Sequence, residues 1–183
     1  MQEIELKFQV DNLEKIKQHL LNLDCEFSKD IIQKDVIYVP DINDTSNAEG
    51  KIFIRIRSVN DKSELTLKQQ SKKIMQSKEI EFEVSDFNSA SDFLETIGLT
   101  KWVTVEKKRI TTKYKDFNIC IDDVKRLGQF IEIEVLTNEE HQTDYYETKI
   151  IELAKELGIN INKRVNNFYD TMISELDKKE GAN

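Results

Sequence analysis

The sequence predicts an α+β protein of eight strands and four helices, in which helices cover the apolar face of a sheet. Two observations carry this. The opening stretch "EIELKF" (3–8) alternates charged and apolar residues, the mark of a strand whose neighbouring side chains point to opposite faces. Between such stretches, apolar residues recur at helical spacing, with Leu13, Ile16, Leu20 and Leu23 as the first set.

The elements follow in order. After the first strand, Asp11 is placed to cap the first helix. "IIQKDVIYV" (31–39) reads as a strand, and "PDINDTSNAEG" (40–50), with the only proline, reads as a long polar loop expected to be mobile. "KIFIRIR" (51–57) and "ELTLK" (64–68) form a strand pair; "SKKIMQS" (71–77) is a polar connection, and "KEIEFEV" (78–84) alternates again. A second helix is expected from about Asn88 to Ile97, with Phe93, Leu94 and Ile97 facing inward and Gly98 as its stop. The segments 103–114 and 117–122 flank a turn at Lys115-Asp116, and "QFIEIEVL" (129–136) closes the strand set. Helices over about 143–157, stopped by Gly158, and about 166–177 complete the chain. "EIELKFQV" (3–10) and "EIEFEVSD" (79–86) each open a strand-then-helix unit, a short internal echo compatible with two similar halves.

With 183 residues the chain reads as a single domain over 1–183, with strands at about 2–137 and C-terminal helices at about 143–177. A net charge of −8 argues against nonspecific nucleic-acid binding, though not against a local basic pocket. Cys25 and Cys120 stand far apart without metal-ligand spacing and read as reduced thiols in or near the core. His19 falls on a helix and His141 in a loop, where both read as surface or packing residues. Charge at Glu3 and Glu5 leaves no room for a signal-peptide apolar region, and no apolar run approaches membrane-spanning length. A cytoplasmic protein acting on neither nucleic acid nor membrane is the expectation.

Sorting strands by face gives a recurring arrangement. Glu3, Glu5 and Lys7 share one side of the first strand; Arg55 with Arg57, and Lys68 with Thr66, share sides of the next two. Glu79, Glu81 and Glu83 oppose Ile80, Phe82 and Val84; Lys107 and Arg109 share a face; Asp122, then Glu132 and Glu134, oppose isoleucines. A sheet with one wet face would give this pattern without any function. Same-sign pairs side by side, however, are costly unless opposite charge lies between them. A closed eight-stranded barrel with helices outside would turn these faces inward around room for one small ligand. Such an interior would suit a polyanion bridged by divalent metals, whose preferred ligands are carboxylate and phosphate oxygens. The residues alone leave the solvated sheet and the charged barrel both open.

The motifs "EIELK", "RIR", "LTLK", "KEIEFEV", "VEKKR" and "IDDVKRLGQFIEIE", in that order, resemble the CYTH domain. This family is named for class IV adenylate cyclases and thiamine triphosphatase, and is also called the triphosphate tunnel metalloenzymes. The likeness covers about Met1 to Leu157 and is greatest to the class IV adenylate cyclase group. It departs at Ile37, where the family often has Tyr before an aromatic, and at "NFYDTMI", which only approximates the usual C-terminal helix motif.

The resemblance implies an eight-stranded antiparallel closed β-barrel that binds a triphosphate with Mg2+ or Mn2+. It implies that Glu3, Glu5, Glu132 and Glu134, with Asp122, hold metal. It implies that Lys7, Arg55, Arg57, Lys68, Lys107 and Arg109 grip phosphate, that Glu79 and Glu81 line the opposite wall, and that Lys107, Arg109 and Asp122 form the catalytic set. The substrate expected is ATP, converted to cyclic AMP and pyrophosphate, with tripolyphosphate or thiamine triphosphate hydrolysis as the alternative and a noncatalytic phosphate-binding module as a third. A homodimer is compatible with this reading. Elementary chemistry agrees, since metals neutralise phosphate charge and the arginine fork bonds oxygens in pairs. The sequence holds no glycine-rich phosphate loop.

Overall fold

The structure, a computed structural model, describes residues 2–43, 50–70, 77–137 and 142–181. In chain order the elements are β1 (Gln2–Gln9), α1 (Leu13–Asn22), β2 (Ile31–Val39), β3 (Ile52–Val59), β4 (Lys62–Gln70), β5 (Ser77–Val84), α2 (Phe87–Thr96), β6 (Thr100–Tyr114), β7 (Phe117–Val124), β8 (Gly128–Thr137), α3 (Thr143–Glu156), β9 (Arg164–Val165) and α4 (Tyr169–Gly181). A short 3-10 turn, Ile161–Lys163, precedes β9. Most of the expected loop 40–50, residues 71–76 of the expected connection 71–77 and His141 lie outside the described residues, and Ser77 opens β5.

The strand order is β5-β4-β3-β2-β6-β7-β8-β1-β9. Two expectations are corrected here. Among the described residues the sheet has nine strands rather than eight, and it is open, with β5 and β9 as its ends, rather than a closed barrel. The ninth strand is two residues that pair with Lys7 and Phe8 of β1, too short to show any alternation. Closure depends on which edges pair, and alternation fixes only which face each side chain takes.

The chain forms two compact units. The first comprises Met1–Ile31 and Lys107–Asn167. Here β8 lies between β7 and β1, and β7 pairs in turn with residues 107–114 of β6, all antiparallel. Ile4, Leu6 and Phe8 of β1, Ile119 and Ile121 of β7, and Ile131, Ile133 and Val135 of β8 form one buried face. That face is covered by Leu13, Ile16 and Leu20 of α1 and by Ile150, Leu153 and Ala154 of α3. Removing a side chain such as Leu20, which has 0% exposure, costs about 2–5 kcal/mol in cores of this kind. The cap of α1 is Asn12, whose side chain accepts from the Lys15 amide; Asp11 instead pairs with Lys163 at 2.6 Å. Asn and Asp cap equally well, so the first helical turn, starting at Leu13, decides. Gly158, at φ +74, ends α3 in a conformation that favours glycine.

The second unit comprises Ile32–Glu106 and Phe168–Asn183. β3 lies between β2 and β4, and β4 pairs with β5, all antiparallel. Val36, Tyr38, Ile54 and Ile56 are buried with Leu94 of α2. The helix is capped by Asp86, which accepts from the Ser89 amide at 2.7 Å. Phe93 and Ile97, expected to face inward, are 61% and 57% exposed. The stripe that packs is Phe87, Ala90 and Leu94, spaced three and four apart, and Phe93 and Ile97 fall beside it. Ile80 and Phe82, expected on a covered face, are also exposed, as the end position of β5 leaves them less flanked. Tyr169, Ile173 and Ser174 of α4 are buried, and Trp102 Nε1 donates to Ser174 Oγ at 3.1 Å. No helix among the described residues is long and apolar enough to cross a membrane.

Candidate active site

The face of the first unit opposite its apolar core carries the charges. Register places Glu5 across from Glu134 and Lys7 across from Glu132 on β1 and β8, and Arg109 across from Asp122 on β6 and β7. Cys120, across from Glu132, lies on the same face. A merely solvated face would leave these groups in water. Instead Lys7, Lys107, Asp122 and Glu132 are all buried, Asp122 completely.

The buried charges are paired. Arg109 donates from Nε to Asp122 Oδ1 at 2.6 Å and from Nη2 to Oδ2 at 2.5 Å, and Nη2 also bonds Glu132. Lys107 Nζ donates to Asp122 Oδ2 at 3.0 Å, and Lys7 Nζ lies 3.4 Å from Glu132 and 4.0 Å from Glu5. Burial opposes ionisation of Asp122, but the bonds and charges of Arg109 and Lys107 outweigh it and hold the carboxyl below its usual range. Arg109 likewise loses hydration, yet Asp122 and Glu132 raise its pKa and keep it charged. Lys107 is lowered, by burial first and then by neighbouring Arg109.

At one end of this network stand three carboxylates that each offer one oxygen within 4.8 Å of the others: Glu3 and Glu5, both exposed at the rim, and the half-buried Glu134. Burial, then the charge of Glu132, pushes Glu5 up to about 7 despite Lys7. Burial and the hydrogen bond and charge shared with Glu3 push Glu134 up to about 7 as well. A cavity of about 450 Å3 opens beside Glu134, bordered by Asn118, Thr111, Lys113 and Glu26. Cys120 also borders it, with its thiol pushed up to about 12, chiefly by burial.

The second unit holds a separate charged group. Arg57 on β3 donates from Nε and Nη2 to the two oxygens of Asp35 on β2, each at 2.8 Å. Gln33, on the same face of β2, donates to the same carboxylate at 3.1 and 3.3 Å. Arg55 Nη2 donates to Thr66 at 3.1 Å, and Thr66 donates to Glu81 at 3.2 Å. The Arg55 Nε is buried with no hydrogen-bond partner, and burial, followed by the charge of Arg57, lowers this guanidinium's pKa. Lys68 pairs with Glu79 at 3.1 Å nearer solvent.

The family model of the CYTH domain matches residues 1–169. The chain belongs to this family. A protein of Methanocaldococcus jannaschii named "Putative adenylate cyclase" is 26% identical over 174 residues, spanning 92% of this chain and 97% of that protein. A solved structure of a Pyrococcus horikoshii protein is 27% identical, covers 92% of this chain and 98% of its own, and superposes with a TM-score of 0.75. A Hippeastrum protein, described as an adenylyl cyclase candidate with a dominant triphosphatase activity, is 18% identical and shares the fold at a TM-score of 0.58, covering 86% of this chain and 88% of its own.

Of the residues expected in the CYTH site, Glu3, Glu5, Lys7, Lys107, Arg109, Asp122, Glu132 and Glu134 meet on one face of the first unit. Arg55, Arg57, Lys68, Glu79 and Glu81 share the charged face of the second. The expected metal acids fall into two sets. Glu3, Glu5 and Glu134 form the close carboxylate group, a donor set that hard dications favour, while Asp122 and Glu132 are engaged by cations. The sequence reading missed Asp35 and Gln33, which share a face of β2 with Ile37 and Val39; only their alternate spacing hinted at the polar end of that strand.

Proposed function

We propose that the protein is a metal-dependent enzyme acting on a small triphosphate, of the class IV adenylate cyclase type. The observation that carries this is the juxtaposition, in one unit, of the Glu3, Glu5 and Glu134 carboxylates with Lys7, Lys107 and Arg109. Glu3, Glu5 and Glu134 would hold Mg2+ or Mn2+. When bound, such a cation neutralises phosphate charge and polarises the phosphorus centre. Lys7 and Lys107 bind phosphate oxygens as point charges. Arg109, whose Nε and Nη2 are committed to Asp122 and Glu132, presents its Nη1 edge to the charge that develops on the transferred group. Asp122 orients both cations, and Glu132 holds Arg109 and Lys7 together. Arg55, Arg57 and Lys68 are proposed as further phosphate grips from the family likeness.

In the cyclase reaction the ribose 3′ oxygen bonds to the α-phosphorus, the bond from that phosphorus to the bridging oxygen breaks, and pyrophosphate leaves as the hydroxyl releases its proton. The name of the M. jannaschii relative supports this reading. A second reading, hydrolysis of a triphosphate by attack of water, is supported by the activity described for the Hippeastrum protein of the same fold. The deciding experiment incubates the protein with ATP, tripolyphosphate and thiamine triphosphate, each with Mg2+ or Mn2+, and resolves the products. Cyclic AMP with pyrophosphate establishes the cyclase. Orthophosphate without cyclic AMP establishes the triphosphatase. Binding with no turnover of any substrate leaves a phosphate-binding module.

A further inference from the structure

Asp35 is a buried carboxylate that the site described above does not use. It is 7% exposed, and Gln33 behind it is 3% exposed. Two strands fix their relation to Arg57: Asp35 and Arg57 are direct cross-strand partners on β2 and β3, and Gln33 is two residues away on the same face of β2. The arginine fork meets the carboxylate squarely, with Nε and Nη2 each at 2.8 Å from a separate oxygen. The Gln33 amide donates to the same two oxygens. A bidentate pair of this kind removes the rotational freedom of a long side chain and sets the plane of the guanidinium. Arg57 retains 26% exposure and borders a cavity of about 430 Å3, and its bonds to Asp35 leave Nη1 uncommitted to that carboxylate.

We propose that Asp35, held in turn by Gln33, is the positioning residue for Arg57: it fixes the guanidinium so that its remaining edge is aimed at a phosphate oxygen. This rests on the triphosphate reading above and adds a residue pair to it. A buried carboxylate needs its lone pairs satisfied for stability alone, so the coupling between Asp35 and Arg57 in binding, measured below, is what separates a positioning role from plain stability. Arg55, on the same strand two residues away, donates instead to Thr66 and lies 3.9 Å from Glu64 and 3.8 Å from Glu81, with no two-oxygen carboxylate pair among the described residues.

The test measures binding of tripolyphosphate with Mg2+ by titration calorimetry to the full chain, in four proteins: wild type, Asp35→Asn, Arg57→Ala and the double variant. Asp35→Asn keeps the shape but can accept only one of the two arginine bonds. It is expected to weaken binding roughly tenfold, within the range that coupled neighbours show. The double variant is expected to bind no worse than Arg57→Ala alone, because a residue acting through Arg57 has nothing left to position. Losses that multiply would overturn the proposal, as would an Asp35→Asn protein that binds like wild type while Arg57→Ala does not. If Arg57→Ala binds normally, the phosphate role of Arg57 fails and the positioning role with it, while the first-unit site stands. No binding by the wild type removes the triphosphate reading altogether. Gln33→Leu guards against a misfolded Asp35→Asn, since it leaves the ion pair intact. It should weaken binding in the same direction by a smaller factor without lowering affinity in the Arg57→Ala background, and a Gln33→Leu protein that binds like wild type removes Gln33 from the arrangement.

Discussion

Glu5 and Glu134 stand directly across from each other on paired antiparallel strands, and both carboxyls titrate near neutrality, at about 7. Adjacent acids in a partly buried place resist ionising together, and each holds its proton longer than it would in an unfolded chain.

The first prediction is a stability profile. Because the folded pKa of each acid lies above the ordinary value of 4.5, the folded state binds more protons than the unfolded chain between about 4.5 and 7. The metal-free protein should therefore gain stability as pH falls from 8 to 5.5 and lose it on the way back. Asp122 acts in the opposite sense, its contribution being lost as pH falls from about its ordinary 3.8 through its lowered pKa, outside this window. Thermal melts at pH 8 and 5.5 in chelator check this; a flat or reversed difference would show that the two acids do not face each other as described.

A second prediction separates the two acids of β8. Glu134→Gln removes a repelling charge and a metal ligand, so the melting temperature without metal should rise or hold while the shift on adding Mn2+ shrinks. Ligand at about a hundredfold over its dissociation constant stabilises wild type by roughly 2.7 kcal/mol. Glu132→Gln does something else. It leaves the buried Arg109 and Lys7 short of a counter-charge, and breaking a buried pair in this way costs about 3–5 kcal/mol. The metal-free melt of that variant should fall. Identical behaviour of the two variants would dissolve the division between metal acids and paired acids.

The alternation of the strands was readable from sequence because burial enforces it: Ile4, Leu6 and Phe8 against Glu3, Glu5 and Lys7 could not be exchanged without placing charge in the core. The same rule put Arg109, Asp122, Glu132 and Glu134 on the charged faces of their strands, and the family resemblance grouped them in one site, though neither showed that Arg109 would claim two of the acids. Which acids pair with cations and which stay together depends on cross-strand register, and register is a long-range property. β9 and the open ends of the sheet escaped for the same reason, and Phe93 because a ten-residue helix buries only a narrow stripe.

The third prediction concerns Asp122, the most enclosed charge in the first unit. Asp122→Asn keeps the volume but strands Arg109 and Lys107 beside each other, and Lys107 is already disfavoured by burial and by Arg109. Urea unfolding should show a loss of about 3–5 kcal/mol at pH 7. A loss under about 1 kcal/mol would mean water reaches this network freely.

A fourth prediction follows from the carboxylate group. Turnover of any triphosphate should cease in excess chelator and return on adding Mg2+ or Mn2+, with half-maximal metal concentration rising as pH is lowered through 7, since protons and metal compete for Glu5 and Glu134. Undiminished turnover in chelator would remove metal from the proposal.

Cys120 sits among the acids of the site with its thiol pushed up to about 12, and Cys25 is buried with its pKa raised too. Only the thiolate reacts with alkylating agents and peroxides. The two cysteines of the folded protein should therefore resist alkylation and peroxide. Cys120 thus serves the charged face as filling rather than as a sensor, and iodoacetamide labelling of the folded protein, mapped to Cys120 or to Cys25, would report local opening of β7 or of the segment after α1.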